Sequence, residues 1–265
     1  MENNVMAIVM AAGKGTRMKS KKSKLVQKIY GKEVVKRAVE NAEKAGIKDI
    51  VAVVGYMKEE VMAVLGDSVK YAKQDEMLGT GHAVMQAKEY LRGKKGKVLV
   101  LNGDVPLIRP ETLNKLIEKS IENKEYVTLL TAIYDNPTGY GRIVRDEGGN
   151  ISAIVEEKDT TEEQKEIKEI NAGIYCFDIE ELLAALEKIQ PNNAQGEYYL
   201  TDVIQIMNEK GLKTGAVIVE DNTEILGIND RIQLEMLTKV LQMRINTEHM
   251  KKGVTIEDVN NTYIY

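Results

Sequence analysis

The chain is poor in the residues that build metal cages, disulfides and membrane spans. Its 265 residues include one cysteine, Cys176, and two histidines, His82 and His249. A single cysteine excludes an internal disulfide and fits a reducing cytoplasm. So few His and Cys side chains argue against a His/Cys zinc site. No apolar run approaches the length of a membrane span. The run Val5 to Ala12 is short and follows Glu2 rather than a basic segment, so it is not read as an export signal. A basic excess is also missing. The net charge of −4 argues against a general nucleic-acid binder. Neither an internal repeat nor a low-complexity segment is present. What remains is the composition of an ordinary soluble enzyme, 43% apolar and 29% charged. The length suffices for one large α/β domain or a domain with a short appendage.

The first half alternates apolar runs with amphipathic segments. VMAIVM (5–10), IVAVV (50–54), VKYA (69–72), KVLVLNGD (97–104) and YVTLLTAIY (126–134) read as strands. Helices are expected at 33–46, near 57–65, from about 81 to 92, and at 109–124 with Pro110 near the start. Continuous apolar strands separated by helices predict a mostly parallel sheet covered on both faces. After residue 135 the rhythm changes. GYGRIVRDEGGNISAIVEEK predicts a hairpin around Gly148 and Gly149. A strand at 170–178, a helix near 179–188, a helix over YYLTDVIQIMNEKG and a strand over KTGAVIVE follow. A long helix is expected from Asp230 to about Lys251, striped by Leu234, Leu237, Leu241 and Ile245. GVTIEDVNNTYIY reads as strand-like.

One stretch runs against the overall charge. Residues 5–32 pass from an apolar run through Gly13 and Gly15 and then carry eight Lys or Arg, with no Asp or Glu. A Gly-rich turn after a strand exposes backbone N–H groups to an oxyanion. The turn is not a Walker A loop, since no Gly-Lys-Ser or Gly-Lys-Thr closes it. It is not a dinucleotide fingerprint either, because Met18 stands at the third glycine. An ordinary turn followed by solvated lysines would look similar. The charge density favours an anion, and Arg17 and Lys24 suit a triphosphate.

Three more groups carry candidate chemistry. Asp104, at the end of LNGDVPL, points to the crevice where open α/β sheets bind ligands, and one or two carboxylates suffice for a hard divalent cation. A turn Asp before Val-Pro is the plain alternative. In QDEMLGTGHA, Gly79 and Gly81 flank Thr80, and Gln74 has both a donor and an acceptor with which to read a base. A surface turn with a helix cap accounts for that segment equally. His82 there could serve as a base or as a structural residue of a helix face. Finally TGYGRI, IVEEKD and INAG offer Gly141, Glu156 and Asn171, groups suited to sugar hydroxyls and an acetamido group.

In order along the chain, MAAGKGTRM, LGTGHA, GDVPL, TGYGRI, IVEEKD, INAGIY, NAQGEYYLTD and GINDR closely resemble the uridyltransferase half of a bacterial family. That family is the bifunctional N-acetylglucosamine-1-phosphate uridyltransferase / glucosamine-1-phosphate acetyltransferases. The resemblance covers essentially the whole chain. It implies a Rossmann-like nucleotidyltransferase fold: α/β, a mostly parallel mixed sheet with helices on both faces, and a long C-terminal helix. It implies a nucleotidyltransferase domain over 1–228, a linker helix over 229–251 and, over 252–265, a lead-in strand to a left-handed β-helix absent from this chain. No acetyl-CoA site is then expected here, and a trimer is expected only with the β-helix present.

At matching positions the resemblance places Ala11, Ala12, Gly13 and Lys14 on the nucleotide, with Arg17 near the β- and γ-phosphates. Lys24 falls at the reacting phosphates and Gln74, Gly79 and Thr80 on the uracil side. Asp104 and Asn229 would hold Mg²⁺, and Gly141, Glu156 and Asn171 the sugar. The implied catalytic set is Arg17, Lys24 and Asp104. The implied substrates are UTP and N-acetylglucosamine 1-phosphate, with UDP-N-acetylglucosamine feeding cell-wall precursors; neither nucleic acid nor membrane is implied as a partner. One departure stands out. The family has Leu-Pro-Lys where this chain has Lys22-Ser23-Lys24, so the loop lacks a proline's constraint. Rival readings are another sugar-1-phosphate uridylyl- or thymidylyltransferase, and a non-catalytic sugar-nucleotide sensor.

Overall fold

The computed structural model describes residues 4–265. Residues 1–3, which include Glu2 and the start of the domain expected over 1–228, lie outside the described residues. The elements in order are β1 (Val5–Ala11), β2 (Lys28–Ile29), β3 (Lys32–Glu33), α1 (Val34–Lys44), β4 (Asp49–Val54), α2 (Lys58–Leu65), β5 (Lys70–Lys73), α3 (Thr80–Met85), α4 (Lys88–Leu91), β6 (Lys97–Asn102) and α5 (Pro110–Glu122). There follow β7 (Val127–Ile133), β8 (Arg142–Arg145), β9 (Ile151–Val155), α6 (Glu162–Lys165), β10 (Glu169–Asp178), α7 (Ile179–Leu186), α8 (Asp202–Glu209), β11 (Thr214–Ile218) and α9 (Arg231–Lys251).

Among the described residues, nine strands form one sheet whose main path is β11-β7-β10-β6-β1-β4-β5, with β8 joined to β10 and β9. β1 lies parallel to β4 and to β6, β4 to β5, and β7 to β11. The expected mostly parallel, mixed sheet is therefore present. β10 is the reversal within it, antiparallel to both β6 and β7. After β7 the chain builds the β8–β9 hairpin at the carboxyl end of the sheet. β10 re-enters from that end and has to run backwards.

Alternation along β1 divides the core. Ala7, Val9 and Ala11 join one apolar cluster with Val35 and Val39 of α1, Val61 of α2 and Leu113 and Leu116 of α5. Met6 and Ile8 join the other, with Val84 of α3, Leu91 of α4, Leu182 of α7 and Val203 of α8. Each fully buried Val, Leu or Ile contributes roughly 1.5–3 kcal/mol, so strands apolar on both faces are what hold helices on both. A smaller third cluster of Met18, Ile29, Val34, Leu107, Ile228 and Leu237 fastens α9 beneath the opening loop. Among the described residues, no helix is long and apolar enough to cross a membrane.

Three expectations need correction. The helix expected over 81–92 is broken. At the break, Gln86 and Ala87 N–H groups bond three residues back, to Ala83 and Val84, and α4 starts afresh. The helix expected over 198–211 begins only at Asp202. The Tyr198 backbone is already committed, its N–H to Leu78 O at 2.7 Å and its carbonyl to Gly81 N–H at 2.8 Å. The third concerns 252–265, which forms no strand. There the Gln242 carboxamide donates to the Asn260 and Thr262 carbonyls, and that of Asn246 to Val259 and Thr262. Asp258 accepts from the Asn260 and Asn261 N–H groups in a turn. These bonds lash the segment to α9 instead. They also explain why the buried residues of α9 are Leu237, Gln242 and Asn246, rather than the whole expected apolar stripe.

Candidate active site

The order of strands reverses direction at β1, with β4 and β5 on one side and β6 on the other. Ligands of open α/β sheets bind at such a switch point, beyond the carboxyl ends of the strands. The loops after β1 and β6 bring Ala12, Gly13, Asn102 and Asp104 to one cleft there. The cleft has two lobes. One, of 260 Å³, is lined by Ala12, Gly13, Lys24, Gln74, Gly79 and Thr80 among others. The other, of 330 Å³, is lined by Arg17, Gly141, Glu156, Asn171, Asn229 and Gln233 among others. Asn102 and Asp104 line both and so mark the seam.

The opening loop leaves β1 and turns through Gly15, whose φ of +58° is the left-handed region. A side chain at Gly15 would lie 2.9 Å from Lys24 Cγ, so the turn is packed directly against the lysine stem. Lys24 follows Ser23, which has φ −53° and ψ 143°. That is close to the φ a proline imposes. Ser23 holds it by other means: its N–H donates to Glu60 Oε2 at 2.9 Å and its hydroxyl accepts from Leu25 N–H at 3.3 Å. The proline's constraint is thus replaced by two hydrogen bonds, both of them impossible for proline.

Lys24 lies at the seam. Its ammonium pairs with Asp104 and donates to Asn229 Oδ1 at 3.1 Å. Asp104 is carried in the turn that follows β6. Asn229 is held where α9 begins. The Asn229 N–H donates to Gln233 Oε1 at 2.7 Å, and Asp230 caps the helix by accepting from Gln233 N–H at 2.8 Å. Arg244, about three turns beyond Gln233, donates to Asp221, Thr223 and the Leu107 carbonyl, clamping the loop that precedes Asn229. Two oxygen donors from distant parts of the chain therefore reach a single cation.

In the first lobe Gln74 is 4% exposed. Its amide nitrogen donates to the Gly79 carbonyl at 3.1 Å and meets His82 Nδ1 at 3.0 Å. Gly79 is needed where it stands, because a Cβ there would lie 2.6 Å from the Tyr198 carbonyl. Thr80 lines the lobe, while its hydroxyl accepts from Leu200 N–H at 3.1 Å. Glu197, Met77 and Asn102 also line it.

The second lobe is the more polar. Asn171 bonds to Tyr175 Oη at 2.6 Å and accepts from Gly173 N–H at 3.0 Å, which fixes its carboxamide at the bulge of β10. Glu156 accepts from the Thr201 hydroxyl at 3.2 Å. Burial raises the Glu156 carboxyl above the usual range, and nearby Asp159, Asp202 and Glu197 push the same way. Burial, with Asp159, lifts Asp202 to about 6. Arg142, 1% exposed, sits beneath the loop; it donates to the Tyr140 carbonyl and pairs with Glu157 at 2.8 Å. It supports the Tyr140–Gly141 wall from below.

Most residues singled out from the sequence thus converge: Ala12, Gly13, Lys24, Gln74, Gly79, Thr80 and Asp104 at the first lobe, Arg17, Asp104, Gly141, Glu156, Asn171 and Asn229 at the second. Two do not line it. Ala11 is the last residue of β1, 1% exposed and paired with Val54, and Lys14 is exposed beside the loop. Arg17 is in the lobe away from Gly13. The wall residues Met77, Glu197, Tyr140 and Gln233 went unread. Only the fold brings them in, although NAQGEYYLTD already contained Glu197.

The profile of the nucleotidyl transferase family matches residues 6–231. The bifunctional protein GlmU of Caldanaerobacter subterraneus subsp. tengcongensis is 54% identical over 260 residues; that of Acetivibrio thermocellus is 52% identical over 260 and that of Clostridioides difficile 49% over 261. Each match takes in 98% of this chain, yet the chain spans only 56–57% of those relatives' length. A solved structure from Bacillus anthracis, described provisionally as a glucose-1-phosphate thymidylyltransferase, superposes with a TM-score of 0.71 at 18% identity. The overlap covers 97% of this chain and 99% of that one, a likeness of fold.

Proposed function

The chain belongs to the nucleotidyl transferase family, and from that premise we propose that it transfers the uridylyl group of UTP to N-acetylglucosamine 1-phosphate, releasing pyrophosphate and giving UDP-N-acetylglucosamine. The observation that carries this reading is the seam. One ammonium and two oxygen donors meet there, between a lobe with a buried amide and a lobe lined with sugar-type polar groups. The names of the bacterial relatives point the same way. Action in the cytoplasm, for cell-wall precursors, belongs to the same reading.

The nucleophile is a phosphate oxygen of the sugar phosphate. A phosphate monoester has its second pKa near 6, so it is largely ionised at neutral pH and needs no general base. The obstacle is bringing two anions together, which calls for positioning and charge neutralisation. Lys24 would carry positive charge to the attacked phosphoryl group. Gly13 and the loop N–H groups would cradle the rest of the triphosphate, and the exposed Arg17 would swing to the leaving pyrophosphate. Glu156 and Asn171 would hold the sugar, Glu156 as an acceptor for hydroxyls.

Asp104 and Asn229 suit a hard divalent cation, since both already direct an oxygen at one cationic atom. Bound there, Mg²⁺ would supply Lewis-acid and template chemistry. The reading is tested by pyrophosphate release from UTP with N-acetylglucosamine 1-phosphate, glucosamine 1-phosphate and glucose 1-phosphate in parallel. Release is expected mainly with the first. Equal rates with glucose 1-phosphate would move the chain to another branch of the family, and UTP binding without release would make it a sensor.

A further inference from the structure

His82 stands behind the first lobe with a glutamine at each ring nitrogen. Gln74 Nε2 lies 3.0 Å from Nδ1, and Gln86 Nε2 lies 3.1 Å from Nε2. A neutral imidazole has one acceptor nitrogen and one N–H. Both contacts, as oriented, ask the ring to accept, so only one of them is a hydrogen bond.

The surroundings decide which. The Gly79 carbonyl can only accept, and it holds the nitrogen end of the Gln74 amide at 3.1 Å. Turning that amide over would set Oε1 against a carbonyl oxygen. Gln74 is also buried, and its own backbone N–H is fixed to Val54 O at 2.8 Å. Gln86 Nε2 is likewise held by a carbonyl, that of His82 at 3.1 Å, but Gln86 is half-buried at the margin, where its nitrogen can keep that carbonyl, move off the ring and bond water. The constraint therefore belongs to Gln74, and Gln86 yields. His82 takes the tautomer with a bare Nδ1 and a proton on Nε2.

With both hydrogens of Gln74 Nε2 committed, one to Gly79 and one to His82, the amide is locked. Its Oε1 has no partner among the described residues and is not sealed from solvent, in a side chain that lines the lobe. We infer that His82 is a positioning residue for base selection: its Nδ1 lone pair locks Gln74 so that the lobe offers an acceptor. This rests on the uridylyl-transfer reading. An acceptor there suits a pyrimidine with hydrogen on N3, as in uracil, and rejects cytosine, whose N3 is itself an acceptor.

The test is calorimetric binding of UTP and CTP, with Mg²⁺, to the full chain and to two variants of equal polarity. His82→Asn keeps an acceptor near the Nδ1 position; His82→Gln sets its amide out at the Nε2 position and leaves Gln74 unheld. The wild type and H82N should prefer UTP alike, and H82Q should lose about tenfold of that preference. An H82Q chain with the wild-type ratio, or an H82N chain as indiscriminate as H82Q, overturns the inference and leaves the uridylyl-transfer reading standing. A wild type that binds neither nucleotide removes both. Ring ¹⁵N shifts of His82 in the wild type give a second reading independent of any variant: a bare Nδ1 is expected, and a proton on Nδ1 overturns the inference.

Discussion

Lys24 reaches Asp104 and Asn229 at once, residues 80 and 205 positions away in the chain. One cation thus closes the seam between the two lobes, and the same side chain is within reach of a phosphate entering from either. Lys24→Ala is expected to lower turnover about hundredfold or more, the scale of losing one charged group aimed at a transition-state anion. Lys22→Ala should leave turnover near wild type, because Lys22 is exposed and lines neither lobe. Steady-state pyrophosphate release from the two variants checks this. The opposite ranking would show that the lysine register across Ser23 is misassigned.

Gly15→Ala should harm catalysis through Lys24. The new methyl would press on Lys24 Cγ, and the left-handed φ would be strained, at a cost of about 1–2 kcal/mol. Turnover should fall further than so small a loss of stability explains, because the lysine stem has to move. Melting temperature and kcat measured on the same sample separate the two effects. Unchanged kcat beside a lowered melting temperature would limit Gly15 to the turn.

Glu156→Gln and Asn171→Ala should each raise KM for the sugar phosphate about tenfold and leave KM for UTP within about twofold, the loss of one polar contact in a formed site. Both side chains line the second lobe and neither lines the first. Initial rates with each substrate varied in turn give the comparison. A rise confined to the UTP constant would exchange the roles of the lobes.

Asp202 has its carboxyl raised to about 6 in the folded chain, by burial and by Asp159. Folding therefore favours the protonated form, and stability is lost as pH rises from about 4 through about 6. Asp202→Asn removes that loss. It should raise the melting temperature at pH 7.5 by a few degrees, for about 1 kcal/mol once solvent screening of a half-exposed carboxylate is allowed for, and change little at pH 4.5. Thermal melts at the two pH values decide; a drop at pH 7.5 would mean that the charge at the start of α8 matters more than its burial.

Much of this molecule is legible without coordinates because its signals are local. Apolar runs such as 50–54 and 97–102 make strands wherever they lie, and the Gly148–Gly149 turn makes its hairpin. The reversal of β10 is not local; it follows from where the preceding hairpin leaves the chain. The apolar stripe of α9 misled for a related reason. Gln242 and Asn246 are buried by what their amides bind, the carbonyls of 259–262, and periodicity of apolar residues is blind to that. Ser23 teaches the same lesson at the site. A missing proline looks like lost constraint until Glu60 is seen to take the freed N–H. Arg142 and His82 likewise act through a backbone carbonyl and a neighbouring amide, partners that only folding supplies.

The central claim is that Asp104, at the seam, serves phosphoryl chemistry rather than merely pairing with Lys24. The direct measurement is pyrophosphate release from UTP and N-acetylglucosamine 1-phosphate, titrated with Mg²⁺, for the wild type and Asp104→Ala, with a thermal melt of each. Metal-dependent release by the wild type is expected, with a loss of about hundredfold or more in the variant and the melt little changed. Near-wild-type, Mg²⁺-dependent turnover in Asp104→Ala would contradict the central claim.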